Sequence, residues 1–184
     1  SEATLHTHLA DAALFLEVAT AGADAAQVAK AVDEIAEAGA GLKVRCGGAS
    51  EEHFPTPAEL ADAIVTAKAA EVMLKCTAGL HHPYRHLDPS DGIVHHGFVN
   101  VGVAAVLAHA RGLGSSAVAE ILASEDPAAF HLQPDRVGWG DHVVSEAEVA
   151  TARHEFFIGF GSCSIDEPVA DLVKLGVMAS QEQA

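Results

Sequence analysis

The stretch "LKVRCGG" at residues 42–48 places two cations inside a segment that otherwise has the composition of a buried strand. Because strand side chains alternate between two faces, Lys43 and Arg45 share one face and the apolar side chains share the other. The stretch "LKCTAGL" at residues 74–80 repeats this phase with Lys75. The repetition predicts two strands of one sheet, each with an apolar face that helices cover and a polar face that points away from them.

Helices are predicted between these strands and around them. One runs from Asp24, its N-cap, to Gly39, and another lies within residues 55–72, where Thr56 is the N-cap and Glu59 completes a capping box. Strands that alternate with helices at a spacing of about thirty residues indicate βαβ units and a mostly parallel sheet.

The rest of the chain adds two strands and four helices, and it leaves residues 127–145 unassigned as an irregular segment. The strands are predicted at 13–19 and 156–164, and the helices at 97–114, 116–124, 146–155 and 166–178. Four strands are half the number in a closed β/α barrel, which typically needs about 250 residues. The predicted fold class is therefore α/β, with residues 1–184 as a single, partial (β/α)-barrel-like domain of parallel strands. A missing segment or another chain completes the barrel, or a partner covers an open sheet.

The composition restricts the partners of the protein. Hydrophobic residues make up 49% of the chain and the net charge is −16, which excludes a disordered chain and argues against binding to nucleic acid or anionic membranes. No apolar run approaches the roughly 18 residues of a membrane span, and the first residues lack the pattern of a signal peptide. A cytoplasmic protein is expected, either as a homo-oligomer or with a second polypeptide that completes the barrel.

The three cysteines, Cys46, Cys76 and Cys163, form no CxxC pair, so neither a disulfide framework nor a zinc knot is predicted. Each follows a polar strand position, which predicts that each packs under a helix as a small apolar group. Cys163 is also a candidate nucleophile, although the sequence alone assigns it no histidine partner.

The cationic strand positions are the main candidates for a catalytic site. In the first strand the same alternation puts Glu17 on the face of Lys43 and Lys75, and neighbouring strands lie about 4.8 Å apart. One interpretation is a structural ion pair in which Glu17 neutralises Lys43. The other is catalytic: two ammonium groups held close repel each other, so one lysine loses its proton more readily and acts as a nucleophile or base. Two lysines and Arg45 outnumber the single carboxylate, which predicts that the site attracts a small anionic substrate.

Glycines and hydroxyl side chains follow several of these strands. One interpretation is that backbone amides and side chains in these turns bind a phosphate or carboxylate. The other is that the glycines only allow tight turns between strand and helix. The candidate substrate-binding residues are Arg45, Gly47, Gly48, Thr77, Gly79, Arg85, Gly161, Ser162 and Ser164.

A loop rich in histidine follows the third strand, between residues 81 and 96. His81 and His82 lie closest to the strand end and are the candidates for proton transfer. The leading interpretation needs no cofactor, because the spacing matches no HExxH motif. The alternative is a divalent transition metal bound by histidines of this loop. Its candidate ligands are His81, His82, His86, His95 and His96.

Two resemblances extend these predictions. The segments "LKVRCGG…FPTPAELA", "LKCTAGLHHPYRH", "HHGFVNV" and "FGSCSIDEPVADLVKLG" resemble the C-terminal part of a family of uncharacterised bacterial proteins, over most of residues 40–178. Members of that family are longer, barrel-like chains. The resemblance implies that barrel strands are missing from this chain and brings no activity with it.

The second resemblance is to class I aldolases of the deoxyribose-phosphate type, in which two strands that each carry a lysine end in glycine. It implies that Lys43 forms a Schiff base and that Lys75 tunes it. The stretch "VRCGG" departs from the family's Thr/Ser-rich turn, and "TAGLHHP" departs from its phosphate-binding turn. The predicted function is an enzyme that acts on a small anionic carbonyl metabolite as a carbon–carbon lyase or isomerase. The alternatives are a metal-dependent enzyme that uses the histidine loop and a non-catalytic subunit or ligand-binding module that completes a partner's barrel.

Overall fold

The computed structural model describes residues 12–179. Its strands are β1 (Phe15–Val18), β2 (Gly41–Arg45), β3 (Leu74–Thr77), β4 (His86–Leu87), β5 (Val94–His95), β6 (Phe130–Gln133), β7 (Arg136–Trp139), β8 (His142–Val144) and β9 (Phe157–Gly161). Its helices are α1 (Ala25–Glu37), α2 (Pro57–Ala69), α3 (Phe98–Arg111), α4 (Ser115–Ala123), α5 (Glu146–Glu155) and α6 (Asp166–Lys174). None of these helices is long and apolar enough to cross a bilayer.

The main sheet has four parallel strands in the order β1-β2-β3-β9. Glu17 lies beside Lys43, and Lys43 beside Lys75, so the three side chains share a face as the alternation predicts. The mixed α/β class with a parallel sheet is confirmed. Within residues 12–179, strands β1 and β9 are the two edges of the sheet, and closure into a barrel stays a prediction.

Helices cover the other face of this sheet and enclose the core. Leu42, Val44, Leu74 and Cys76 point to this face, and all four are fully buried. Burial of apolar surface contributes roughly 25 cal/mol per Å² removed from water, so the burial of these side chains is the main favourable contribution to the free energy of folding. The core therefore lies between the sheet and its helices, and the cationic face takes no part in it.

Reciprocal caps start the first two helices where the sequence predicts. The Asp24 carboxylate accepts a hydrogen bond from the amide of Gln27, whose side chain accepts one from the amide of Asp24. Thr56 and Glu59 form the same box, and the second Glu59 oxygen accepts a bond of 2.9 Å from the amide of Gly22. This last bond ties the turn before α1 to the start of α2, which aligns the two βα units.

The segment 127–145, left unassigned from the sequence, is an ordered three-stranded antiparallel sheet of β6, β7 and β8. Two-residue turns join its strands, and Gly140 in the second turn has a φ of +55°. A Cβ at Gly138 would lie 2.1 Å from the carbonyl oxygen of His142, so only glycine fits there. The two prolines of this segment lie outside the strands, since Pro127 precedes β6 and Pro134 is in the turn between β6 and β7. The closing helix also ends earlier than predicted, at Lys174.

The prediction for the cysteines is correct for two of the three. Cys46 and Cys76 are fully buried under helices, whereas Cys163 is exposed. The prediction for Cys163 is wrong because this residue lies beyond Gly161, where β9 ends and strand alternation no longer applies. An exposed thiol at this position becomes part of the site described below.

Candidate functional site

An ion pair occupies the open face of the sheet. Lys43 Nζ lies 2.8 Å from one Glu17 carboxylate oxygen, and Arg45 Nη1 lies 3.7 Å from the other. The hydrogen bond from Lys43 is the main cause that lowers the pKa of the Glu17 carboxyl, so Glu17 is a carboxylate at neutral pH. All three side chains remain partly exposed, and exposed pairs typically contribute about 1 kcal/mol or less to stability.

Lys75 lies next to this pair and is not part of it. Within residues 12–179, no carboxylate comes within ion-pair distance of its amino group. Its neighbours on β9 are Gly159 and, one step nearer the carboxyl end, Gly161, which lies beside Thr77. Because glycines carry no side chains, the sheet surface beside Lys75 is open toward the carboxyl ends of the strands.

A cleft of about 450 Å³ lies at those carboxyl ends, the position where α/β proteins usually bind their ligands. Three segments of chain form it: the turn after β2, the loop after β3 and the turn after β9. Its lining residues are Gly48, Phe54, Thr77, Ala78, Gly79, His81, His95, Gly161, Ser162 and Cys163.

Two glycines allow the turns after β2 and β3 to touch. A Cβ at Gly47 would come within 3.0 Å of the Cα of Gly79 and 2.9 Å of the Phe54 ring. Gly79 itself has a φ of +69°, a conformation that other residues rarely adopt. The predicted glycine turns thus have a structural role, and they form one wall of the cleft.

His81 contacts two functional groups from the opposite side of the cleft. Its Nδ1 lies 2.9 Å from a Glu167 carboxylate oxygen at the start of α6. The Cys163 sulfur lies 3.5 Å from His81 Nε2 and 3.7 Å from Nδ1. His81 therefore lies between the thiol of Cys163 and the carboxylate of Glu167 and contacts both.

His82 points away from the cleft and binds α6. Its Nδ1 lies 2.7 Å from an oxygen of Asp171, whose other oxygen lies 2.9 Å from Lys174 Nζ. The hydrogen bond from His82 is the largest cause that lowers the pKa of the Asp171 carboxyl. This contact holds the histidine loop against the last helix.

The histidine loop folds back on itself as a short hairpin in which His86 on β4 faces His95 on β5. His95 Nε2 lies 2.9 Å from a carboxylate oxygen of Asp91, and its ring packs on Phe54 with 4.6 Å between centroids. His86 Nδ1 lies 3.0 Å from the carbonyl oxygen of Tyr84. Because a carbonyl can only accept, His86 Nδ1 carries a proton, and in the neutral ring the lone pair is then on Nε2.

That Nε2 atom of His86 is buried and has no hydrogen-bond partner among the described residues. Ring nitrogens of His86 and His95 and a carboxylate oxygen of Asp88 all lie within 4.8 Å of one another. A hydrogen bond from the Ser90 hydroxyl is the main cause that lowers the pKa of the Asp88 carboxyl, so it is ionised. This group, His86, Asp88 and His95, could hold a metal ion.

His96 and Arg85 form a buried polar contact behind the hairpin. His96 Nε2 donates a bond of 2.6 Å to the carbonyl of Pro55, and Arg85 Nη1 lies 3.5 Å from Nδ1. Burial, with the nearby Arg85 charge, lowers the pKa of His96 to about 4. A neutral His96 with both nitrogens engaged joins the loop to the turn before α2.

The structure places the predicted site residues in three groups. Eight line the cleft: Gly48, Thr77, Gly79, His81, His95, Gly161, Ser162 and Cys163. Four more lie on the open sheet face: Glu17, Lys43, Arg45 and Lys75. The others support the loops, as Ser164 does when its hydroxyl accepts bonds from the amides of Asp166 and Glu167 at the start of α6.

The sequence alone identifies neither Asp88 nor Glu167 as a site residue, and it assigns Cys163 no histidine partner. Asp88 lies two residues after His86, a spacing that would have placed both on one face of a short strand. Glu167 is more than eighty positions from His81. No sequence pattern links it to His81 or links His81 to Cys163. Only the folded chain brings these three together.

Comparisons with protein-family models, with curated proteins and with solved structures find no match to this chain. The two resemblances noted from the sequence therefore stay predictions.

Proposed function

We propose that the protein is an enzyme that acts on a small anionic carbonyl compound bound in the cleft, as a carbon–carbon lyase or an isomerase. The observation that carries this proposal is the continuity of the cationic sheet face with the cleft. Thr77 and Gly161 line the cleft, and Lys75 precedes Thr77 by two residues on the same face. A substrate in the cleft can therefore reach an amino group.

Charge at this face favours an anion even though the whole chain is acidic. In the part of the chain that the structure describes, Lys43, Arg45 and Lys75 share this face with one carboxylate, Glu17. Surface charges more than about 8–10 Å away are largely screened at physiological ionic strength, so the local surplus decides what binds. A phosphate or carboxylate group of the substrate would neutralise it.

The ion pair also separates the roles of the two lysines. Glu17 engages the amino group of Lys43, whereas Lys75 has no carboxylate partner among residues 12–179, so Lys75 is the freer amine of the two within the described chain. In the proposed reaction the Lys75 amine attacks the substrate carbonyl carbon and water leaves, which forms an iminium ion. Its positive nitrogen accepts the electron pair of the carbon–carbon bond that breaks. His81 carries the proton between the reacting groups, and water hydrolyses the product imine.

Borohydride trapping tests this chemistry directly. The protein is incubated with borohydride and a panel of 2-oxo acids and phosphorylated aldehydes, and modified peptides are identified by mass spectrometry. We expect a reduced adduct on Lys75 that is absent from Lys75→Ala. It should persist in Lys30→Ala, a control at an exposed site on α1. The proposal would be contradicted if no compound gave an adduct, or if the adducts were found only on lysines other than Lys75 and were still present in Lys75→Ala.

A metal-dependent enzyme is the second candidate, and the free Nε2 of His86 favours it. Two imidazoles and a carboxylate match the ligand set of many divalent transition-metal sites. The bond from His86 Nδ1 to the Tyr84 carbonyl and the contact of His95 with Asp91 are the outer contacts that orient metal-binding histidines. His95 also lines the cleft, so an ion here would reach the substrate.

Titration with Co²⁺, followed by visible absorption, tests the metal site. We expect saturable binding of one ion that His86→Ala and Asp88→Ala abolish. His82→Ala is the matched control, since His82 belongs to the same loop but pairs with Asp171. Binding that survives His86→Ala unchanged would exclude the site, as would the absence of binding to the unaltered protein.

We also propose that a second copy of the chain covers the free sheet edges. Exposed apolar side chains mark both edges: Leu14 just before β1, Leu16 on β1, and Ile158 and Phe160 on β9. Pairing β1 of each copy with β9 of the other would close eight parallel strands and remove the free edges of both copies. Native mass spectrometry should show a dimer, and a chain that stays monomeric at micromolar concentration would refute this arrangement.

A further inference from the structure

We propose that Cys163, His81 and Glu167 form a nucleophilic triad at the cleft wall that transfers an acyl group from a small ester or thioester. This activity uses Cys163 as its nucleophile in place of Lys75, and His81 serves in both proposals. The carboxylate lies 2.9 Å from His81 Nδ1, and the sulfur lies 3.5 Å from Nε2 and 3.7 Å from Nδ1. Because the sulfur is almost equidistant from the two ring nitrogens, the proposed reaction includes a rotation of the Cys163 side chain that brings the thiol onto Nε2. The three come from separate segments: the loop after β3, the turn after β9 and the first turn of α6.

Hydrogen bonding determines which nitrogen of His81 can act as a base. The carboxylate of Glu167 can only accept, so His81 Nδ1 carries a proton and donates it. The neutral ring then has its lone pair on Nε2, the nitrogen nearer to the Cys163 sulfur. Once Nε2 takes the thiol proton, the charge of Glu167 stabilises the imidazolium, as the acid of a catalytic triad does.

The other two cysteines show what an unreactive thiol looks like in the same chain. Cys46 and Cys76 are fully buried and hydrogen-bond to each other, and that contact together with burial raises the pKa of the Cys76 thiol well above its usual range. Cys163 is exposed, lines the cleft and lies beside a base. Reactive cysteines are found in accessible positions next to such groups, whereas buried ones are inert.

The proposed reaction has two balanced steps. The Cys163 proton moves to His81 Nε2 as the sulfur attacks the carbonyl carbon, and the carbonyl electron pair moves to oxygen. The tetrahedral intermediate expels the alcohol or thiol of the substrate, which takes the proton from His81 and leaves a thioester on Cys163. Water, deprotonated by His81, then releases the acid and restores the thiol.

Alkylation by iodoacetamide, in the presence of EDTA, measures how strongly His81 activates the thiol. We expect modification at Cys163 at neutral pH, slowed about tenfold or more in His81→Ala and several-fold in Glu167→Gln. His82→Ala is the matched control, with an expected change within about twofold. Glu167→Gln preserves shape on an exposed helix turn, so it reports on charge even where His81→Ala disturbs the loop. Equal rates in all four proteins would overturn the proposal.

Acyl transfer itself is tested with p-nitrophenyl acetate. We expect a burst of nitrophenolate and an acetyl group on Cys163 by mass spectrometry, both absent from Cys163→Ser. Lys30→Ala should leave the burst unchanged, because Lys30 is exposed on α1 and does not line the cleft. No burst, or acetylation that spares Cys163, would contradict the triad, while the borohydride result would stand or fall on its own.

Discussion

The two faces of the parallel sheet differ although they belong to the same strands. On the helix-covered face Leu74 is fully buried, whereas the adjacent Lys75 on the open face is in contact with solvent. The same contrast holds for Leu42 and Lys43 on β2. Burial of the first face provides the stability of the fold, and the second face is free to carry charge. A shift of one residue in either strand would exchange the two.

Shortening a side chain on the buried face should have the largest effect. Leu74→Ala removes buried methyl groups and leaves a cavity, which we expect to lower the free energy of unfolding by about 2–5 kcal/mol. Lys75→Ala, one residue away, should change it by less than about 0.5 kcal/mol. Urea denaturation of both variants measures the difference. A loss of similar size in Lys75→Ala would show that the open face is also a packed surface.

Acid should destabilise the protein through His96, a polar group that lies on the buried side. Its pKa is about 4 in the folded protein and 6.5 when unperturbed, so the unfolded chain binds more protons between these values. The free energy of unfolding should fall as pH drops from about 6.5 to about 4, by up to roughly 3 kcal/mol from this group.

Comparison with His96→Gln isolates that contribution, because the other ionisable groups are shared. Denaturation of both proteins across this range should show a shallower loss of stability in the variant. Parallel curves would mean that His96 is not kept neutral by burial, and the contrast between buried and open polar groups would then weaken.

Removal of the carboxylate on the open face should have the smallest effect on stability. Glu17→Gln breaks the ion pair with Lys43, and we expect a change of about 1 kcal/mol or less because the pair is partly exposed. Binding of inorganic phosphate, measured by calorimetry, should strengthen because three cations then lack a counter-charge. Weaker phosphate binding would contradict an anion site on this face.

Local patterns were sufficient for most of the α/β framework. The capping boxes at Asp24 and Thr56 and the strand alternation around Lys43 and Lys75 involve residues a few positions apart, whose contacts follow from helix and strand geometry alone. The segment 127–145 was missed because its tight turns use residues that also break regular structure. The alternation rule failed for Cys163 because the residue lies past the end of its strand.

The cleft was predictable only as a location. Strand alternation and the glycine turns indicated that functional groups meet at the carboxyl ends of β2, β3 and β9. The pairing of His81 with Cys163 and Glu167, and of His86 with Asp88 and His95, depends on how loops and α6 fold over those ends. Which residue faces which side of a strand follows from a two-residue period. No sequence period relates residues eighty positions apart, such as His81 and Cys163, so their contact follows only from the packing of the whole chain.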